Sequence, residues 1–259
     1  LFKTTFIKNA EKAGAKTSAE LVKVFFQTCY GNGDYLLGDK TPFYGLHAPE
    51  MLRLFPNAKF IHLIRDGRFA ATSMQKHPGF VKLINADFPN AVDEYAYKGV
   101  QSNFPTNDVS LEQCILFWEN VVSKTRESCE QIPRSQYLEV KYENLFLQPG
   151  QELKKIADFL GVGSAKKWQQ RASALPDPRL LPNEKNRLDA PDYDKLTSLV
   201  KSTLSSFGYD IRPFSEMIGE SEKFTPSNLD DRIRKHKKFV WKARIKRTPS
   251  KVLQYLKLD

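Results

Sequence analysis

Residues Lys59–Met74, KFIHLIRDGRFAATSM, decide how the rest of the chain is read. Their first half, Lys59–Ile64, is a continuous β-prone run of the kind buried on both faces in a parallel sheet. The run stops at Arg65-Asp66-Gly67-Arg68. A helix pattern follows at once and extends to about Lys76, where His77-Pro78-Gly79 breaks it. In a parallel sheet, ligands sit outside the carboxyl ends of the strands, and Arg65 occupies that end. Asp66 suits the helix N-cap, and Gly67 permits a sharp turn. Arg68 falls in the first helical turn, where the positive end of the macrodipole disfavours a cation. A cationic pair there makes sense if an anion is bound between strand tip and helix. Ser73, eight residues after Arg65, lies about two helical turns on and can offer its hydroxyl to the same anion. The other reading of the spacing is an ion pair between Arg65 and Asp39, or another carboxylate near the strand ends.

Outward from this stretch, helix and strand patterns alternate. Thr17–Cys29 (TSAELVKVFFQTC) begins with a capping-box pattern, continues with apolar residues at helical spacing and ends in Gly31-Asn32-Gly33-Asp34. Tyr35–Leu37 is a short apolar run before Gly38-Asp39-Lys40-Thr41-Pro42. A helix pattern over Ala48–Phe55 closes at Pro56-Asn57. Residues 79–107 are turn-rich and aromatic and are expected to form variable surface. Ser110 is expected to cap a long helix through Cys129, with Leu111, Cys114, Ile115, Trp118, Val121 and Val122 on one face. Tyr137–Tyr142 (YLEVKY) alternates like a strand, and Gln151–Leu160 reads as a helix stopped by Gly161. Further helices are expected at 164–173 and 192–206. The pattern predicts an α/β fold with a mostly parallel central sheet flanked by helices.

The 259 residues suffice for a sizeable core, and neither a membrane-spanning stretch nor a signal peptide is visible, although the chain does not begin with Met. The net charge of +10 is uneven. Residues 223–259 hold twelve Lys or Arg against three Asp, while residues 1–222 hold 28 against 27. The chain is therefore divided into an α/β body, 1–222, and a basic C-terminal extension, 223–259. The extension suits an acidic membrane surface, a polyanionic acceptor, or packing on the body as an amphipathic helix. A nearly neutral body argues against a nucleic-acid binder. Cys29, Cys114 and Cys129 are too few and too scattered for a disulfide framework or a Cys-x-x-Cys site, and the four histidines lack metal-ligand spacing. No metal is expected, and the thiol usage suits a reduced, cytoplasmic setting.

Three blocks in order carry a resemblance: Gly38-Asp39-Lys40-Thr41-Pro42; Leu54–Phe60 followed by Arg65-Asp66-Gly67-Arg68 and Ser73-Met74; and Tyr137–Leu145 followed by the helix ending Phe159-Leu160-Gly161. Together they resemble sulfotransferases that use 3′-phosphoadenosine 5′-phosphosulfate (PAPS), above all bacterial and tyrosylprotein sulfotransferases. The likeness runs from about residue 35 to 210. It implies a three-layer, P-loop-like fold and transfer of a sulfuryl group to a hydroxyl or amine of a small-molecule, carbohydrate or peptide acceptor. By the same resemblance, Arg65 and Ser73 hold the 3′-phosphate of the cofactor, with Arg68 beside them and Lys76 or His77 as a further cation. Lys40 is the catalytic lysine, and Tyr142 lies near the adenine. The residue two after the lysine, a histidine in some relatives, is Pro42 here, which leaves His47 and Glu50 as candidate bases. Lys185 and Arg187 are candidate phosphate contacts in a later loop.

The family's glycine-rich 5′-phosphosulfate loop has no counterpart before Gly38; Lys3-Thr4-Thr5 is a faint echo. The loop is expected upstream of residue 1, in residues missing between, or lost. A signal-anchor upstream would make the Golgi lumen the alternative location. Two other functions stay open: a non-catalytic nucleotide- or polyanion-binding relative, and a P-loop kinase-type phosphotransferase. The latter lacks a Gly-x-x-x-x-Gly-Lys-Ser/Thr motif.

Overall fold

The computed structural model of the chain describes residues 2–31, 36–41, 43–88, 107–163, 172 and 188–218. Lys185, Arg187, most of the 79–107 segment, nearly all of the expected 164–173 helix and the basic extension lie outside the described residues. Helices α1 (Phe2–Ala13) and α2 (Ser18–Tyr30) form a hairpin through Gly14, whose φ of 61° is costly for any residue with a Cβ. Thr17 and Glu20 close the capping box of α2 as the sequence predicts. Lys3-Thr4-Thr5 lies inside α1.

A 3₁₀ turn, Tyr44–His47, leads into α3 (Ala48–Leu54). Strand β1 (Phe60–Ile64) then runs into α4 (Gly67–Met74) and α5 (Pro78–Asn85). Helix α6 (Leu111–Glu130) precedes β2 (Tyr137–Lys141), α7 (Asn144–Leu147) and α8 (Pro149–Leu160). Helices α9 (Ala190–Leu199), α10 (Lys201–Ser206) and α11 (Phe214–Ile218) follow. Among the described residues the sheet is two-stranded and parallel, with Phe60 opposite Tyr137 and Ile64 opposite Lys141. The fold is α/β, as the alternation predicts.

Ile64, at the end of β1, belongs to the main core with Ala71 of α4, Ile115, Trp118 and Val122 of α6, and Leu196 and Leu204 of α9 and α10. A second cluster of Ala48, Cys129 and Ile132 seals α3 against the start of the sheet. Ser110 caps α6 through Gln113 as expected, and α6 also buries Phe117.

Two expectations are corrected and one is extended. Strand β1 is not buried on both faces: Ile61 and Leu63 are 38% and 50% exposed among the described residues. His77-Pro78-Gly79 does more than break a helix. The His77 ring accepts the Gly79 N–H at 3.1 Å and caps α5, with Pro78 at its first turn, where the missing N–H costs nothing. The expected 192–206 helix is two helices that meet at Val200, whose φ/ψ of −125°/30° is not helical.

One half-buried network links the sheet to α6. Arg126 of α6 grips both Glu139 oxygens at 2.9 Å, and the Tyr137 hydroxyl donates to Glu139 at 2.7 Å. That hydroxyl has one proton, so the 3.0 Å contact with His62 makes the ring Nδ1 the donor to Tyr137. Burial holds His62 neutral and pushes its pKa down to about 4; the nearby Glu139 charge opposes that shift and Arg126 adds to it. In the unfolded chain the ring has its ordinary pKa of about 6.5. The unfolded state therefore takes up the proton first. Between pH of about 6.5 and 4 this site is expected to remove stability on the order of 1–3 kcal/mol as pH falls. Urea unfolding at pH 7 and pH 4.5 tests this against His62→Phe, in which the drop between the two pH values is expected to shrink.

Candidate active site

Because β1 ends at Ile64 and α4 begins at Gly67, Arg65 sits in the tight turn between them. Asp66 caps α4, its carboxylate accepting the Arg68 N–H at 3.0 Å. Gly67 is required by packing. A Cβ at this position would come within 2.4 Å of the Trp118 ring, which lies in the core and has no room to yield. The Trp118 indole N–H donates to the Arg65 carbonyl at 3.1 Å.

The two arginines of the turn part company. Arg68 is 1% exposed. Its Nε and Nη2 donate to the two Asp66 oxygens at 2.9 and 2.6 Å, and Nη1 donates to Tyr193 Oη at 2.5 Å and Thr197 Oγ1 at 3.0 Å, both on α9. The guanidinium also lies 4.2 Å from the Tyr193 ring centroid. Burial alone would lower its pKa, but the Asp66 bonds and charge outweigh that and raise it. The unfavourable place of a cation in the first helical turn is thus answered inside the protein, by Asp66, and the expected role of Arg68 beside a bound anion gives way to a structural one.

Arg65 is half-buried and points elsewhere. Its Nη1 donates to Ser73 Oγ at 3.3 Å, one face of α4 away, and its guanidinium carbon lies 5.3 Å from the Tyr142 ring centroid. The structure therefore brings Arg65, Ser73 and Tyr142 together at the carboxyl end of the sheet. A planar cation, a hydroxyl and an aromatic face form a set suited to a phosphate attached to a flat ring system.

Lys40 and His47 are both exposed. Beside Lys40, Asp39 accepts the Thr41 hydroxyl at 2.9 Å; that bond and another from Tyr44 hold the Asp39 carboxyl below its usual range. His47 precedes α3 and gives it no side-chain cap. Glu50 pairs at the surface with Arg53 at 3.5 Å. Lys76 and His77 are exposed, with the His77 ring engaged at Gly79. Among the described residues no group of three His, Cys, Asp or Glu is placed to hold a metal ion, and no helix is long and apolar enough to cross a membrane.

Two residues of the neighbourhood escape the sequence reading. Glu143 Oε1 accepts the Asp66 N–H at 2.8 Å, and the Tyr209 hydroxyl reaches the Ile64 carbonyl at 3.1 Å and Glu143 Oε2 at 3.3 Å. Burial, and then the nearby Asp66 charge, push the Glu143 carboxyl up. Burial likewise raises the Tyr209 hydroxyl. Their partners lie 77 and 145 residues away along the chain, so no local pattern marks them.

Residues 6–166, more than half of the chain, match the Sulfotransferase family, and the chain belongs to it. Over 158 residues it is 26% identical to protein-tyrosine sulfotransferase A of Caenorhabditis elegans, covering 60% of this chain and 36% of that one. It is 31% identical over 133 residues to protein-tyrosine sulfotransferase 2 of Gallus gallus, covering 51% and 30%. It is 27% identical over 124 residues to omega-hydroxy-beta-dihydromenaquinone-9 sulfotransferase Stf3 of Mycobacterium tuberculosis, covering 48% and 28%. The chain thus spans about a third of the length of these relatives. The match includes Arg65, Ser73 and Tyr142 and ends before Tyr193, Thr197 and Tyr209.

Replacing Arg68 by Met strands the buried Asp66 carboxylate, which is 6% exposed. The expected cost is about 3–5 kcal/mol in urea unfolding. A variant of unchanged stability that no longer binds nucleotide would return Arg68 to the ligand site.

Proposed function

We propose that the protein is a PAPS-dependent sulfotransferase whose cofactor 3′-phosphate is held by Arg65 and Ser73. The observation that carries this reading is the convergence of Arg65, Ser73 and Tyr142 where β1 meets α4, in a member of the Sulfotransferase family. The donor set suits the group. Arg65 supplies a charge-assisted fork for phosphate oxygens, the rotatable Ser73 hydroxyl donates a further bond, and Tyr142 offers a face to the adenine. A three-layer, P-loop-like arrangement is part of this reading, with a further layer expected over the exposed Ile61 and Leu63.

PAPS supplies an activated sulfuryl group. The acceptor oxygen bonds to sulfur, the bond from sulfur to the phosphate oxygen breaks, and the acceptor proton passes to a base. Lys40 is assigned to neutralise the charge that builds on the departing phosphate oxygen, and His47 is the candidate base. Lys185 and Arg187 are retained as further phosphate contacts of the proposal. The acceptor is a hydroxyl; the names of the relatives point to a peptide tyrosine or a lipid hydroxyl as the first to try.

Calorimetric titration with 3′,5′-bisphosphoadenosine, ADP and AMP tests the reading. The 3′-phosphorylated nucleotide is expected to bind most tightly, and Arg65→Ala to weaken it by about 10- to 100-fold while leaving AMP nearly unchanged. Equal binding of all three nucleotides would sink the proposal. In a sulfuryl-transfer assay Lys40→Ala is expected to lower kcat on the order of 100-fold with little change in nucleotide affinity. An unchanged kcat removes Lys40 from the mechanism.

A further inference from the structure

The peptide units on either side of Arg65 are pinned from four directions. The Ile64 carbonyl accepts the Tyr142 N–H at 2.7 Å and the Tyr209 hydroxyl at 3.1 Å. The Arg65 carbonyl accepts the Trp118 indole N–H, and the Asp66 N–H goes to Glu143. Glu143 in turn lies 3.3 Å from the same Tyr209 hydroxyl. An arginine side chain is long and loses about 2 kcal/mol of rotamer entropy when held, so where its fork lands depends on how firmly the backbone beneath it is fixed. We infer that Glu143 and Tyr209 are positioning residues for the phosphate site, acting on Arg65 through the backbone that carries it. The inference rests on reading Arg65 as the ligand of the 3′-phosphate.

The sign of the Glu143 charge sharpens the point. A carboxylate bound to the peptide next to Arg65 opposes a phosphate by its charge alone. A favourable contribution from Glu143 therefore has to come through the bond to the Asp66 N–H, and the neutral Glu143→Gln keeps an oxygen able to accept it. Tyr209→Phe removes only the hydroxyl. The ring that packs 4.8 Å from the Lys141 ammonium remains. Trp118 is set aside as a test residue because it is also a core residue, 3% exposed.

The 259-residue chain and its Tyr209→Phe, Glu143→Ala, Glu143→Gln and Arg65→Ala variants are titrated with 3′,5′-bisphosphoadenosine and with AMP. The readout is the ratio of the two affinities, which a general loss of folded protein does not move. The ratio is expected to fall about 3- to 10-fold in Tyr209→Phe and about tenfold in Glu143→Ala. It is expected to stay within about threefold of the unmodified chain in Glu143→Gln. Where Glu143→Ala does not fold, Tyr209→Phe and Glu143→Gln decide. If Arg65→Ala loses the preference while Tyr209→Phe keeps it, the positioning role is wrong and the reading of Arg65 stands. Equal weakening of both nucleotides in Tyr209→Phe also overturns the positioning role. No preference in the unmodified chain removes both.

Discussion

A guanidinium taken out of water costs several kcal/mol unless its charge and its donors are met, and the Arg68–Asp66 pair is where this protein meets that constraint. The four bonds from Arg68 run to the residue that caps its own helix and to two residues on α9, more than a hundred residues later. Satisfying them fixes α9 against α4. It also holds the strand-to-helix turn in which Arg65 stands, with Gly67 pressed under Trp118. The cation that looks functional from its place in the first helical turn is the one that holds the turn, and its neighbour in the motif is left to face Ser73 and Tyr142.

Whatever depends on short-range chemistry is legible in the sequence. The capping boxes at Thr17 and Ser110 and the eight-residue interval between Arg65 and Ser73 follow from local spacing and appear in the fold, while the parallel pair of strands follows from the alternation of strand and helix patterns. The division of labour between Arg65 and Arg68 is not legible, because both are arginines flanking Asp-Gly and only the distant Tyr193 and Thr197 tell them apart. The exposure of Ile61 and Leu63 is hidden for the opposite reason. A run of apolar residues gives no sign of which face the remaining elements cover.

The site is legible in the same uneven way. Arg65 and Ser73 follow from one strand and one helix, whereas Tyr142 joins them through the register of two strands and is expected there only from the family resemblance. Glu143 sits in a block singled out for that resemblance, yet its bond to Asp66 depends on how two turns meet at the strand ends. Tyr209 follows the Phe207-Gly208 helix stop, an ordinary chain reversal until its hydroxyl is seen against Ile64.

The region recognised by similarity ends at residue 166, while Tyr193, Thr197 and Tyr209 come after it. The unit that homology defines and the unit that physics closes are therefore different lengths. A fragment cut at the homology boundary would carry Arg65, Ser73 and Tyr142 intact and still leave Arg68 with two of its four bonds unmade in what had been its interior. Among the described residues, the hydrogen bonds that close around Arg68 and the Arg65 backbone therefore reach past the end of the recognisable sequence, as far as Tyr209.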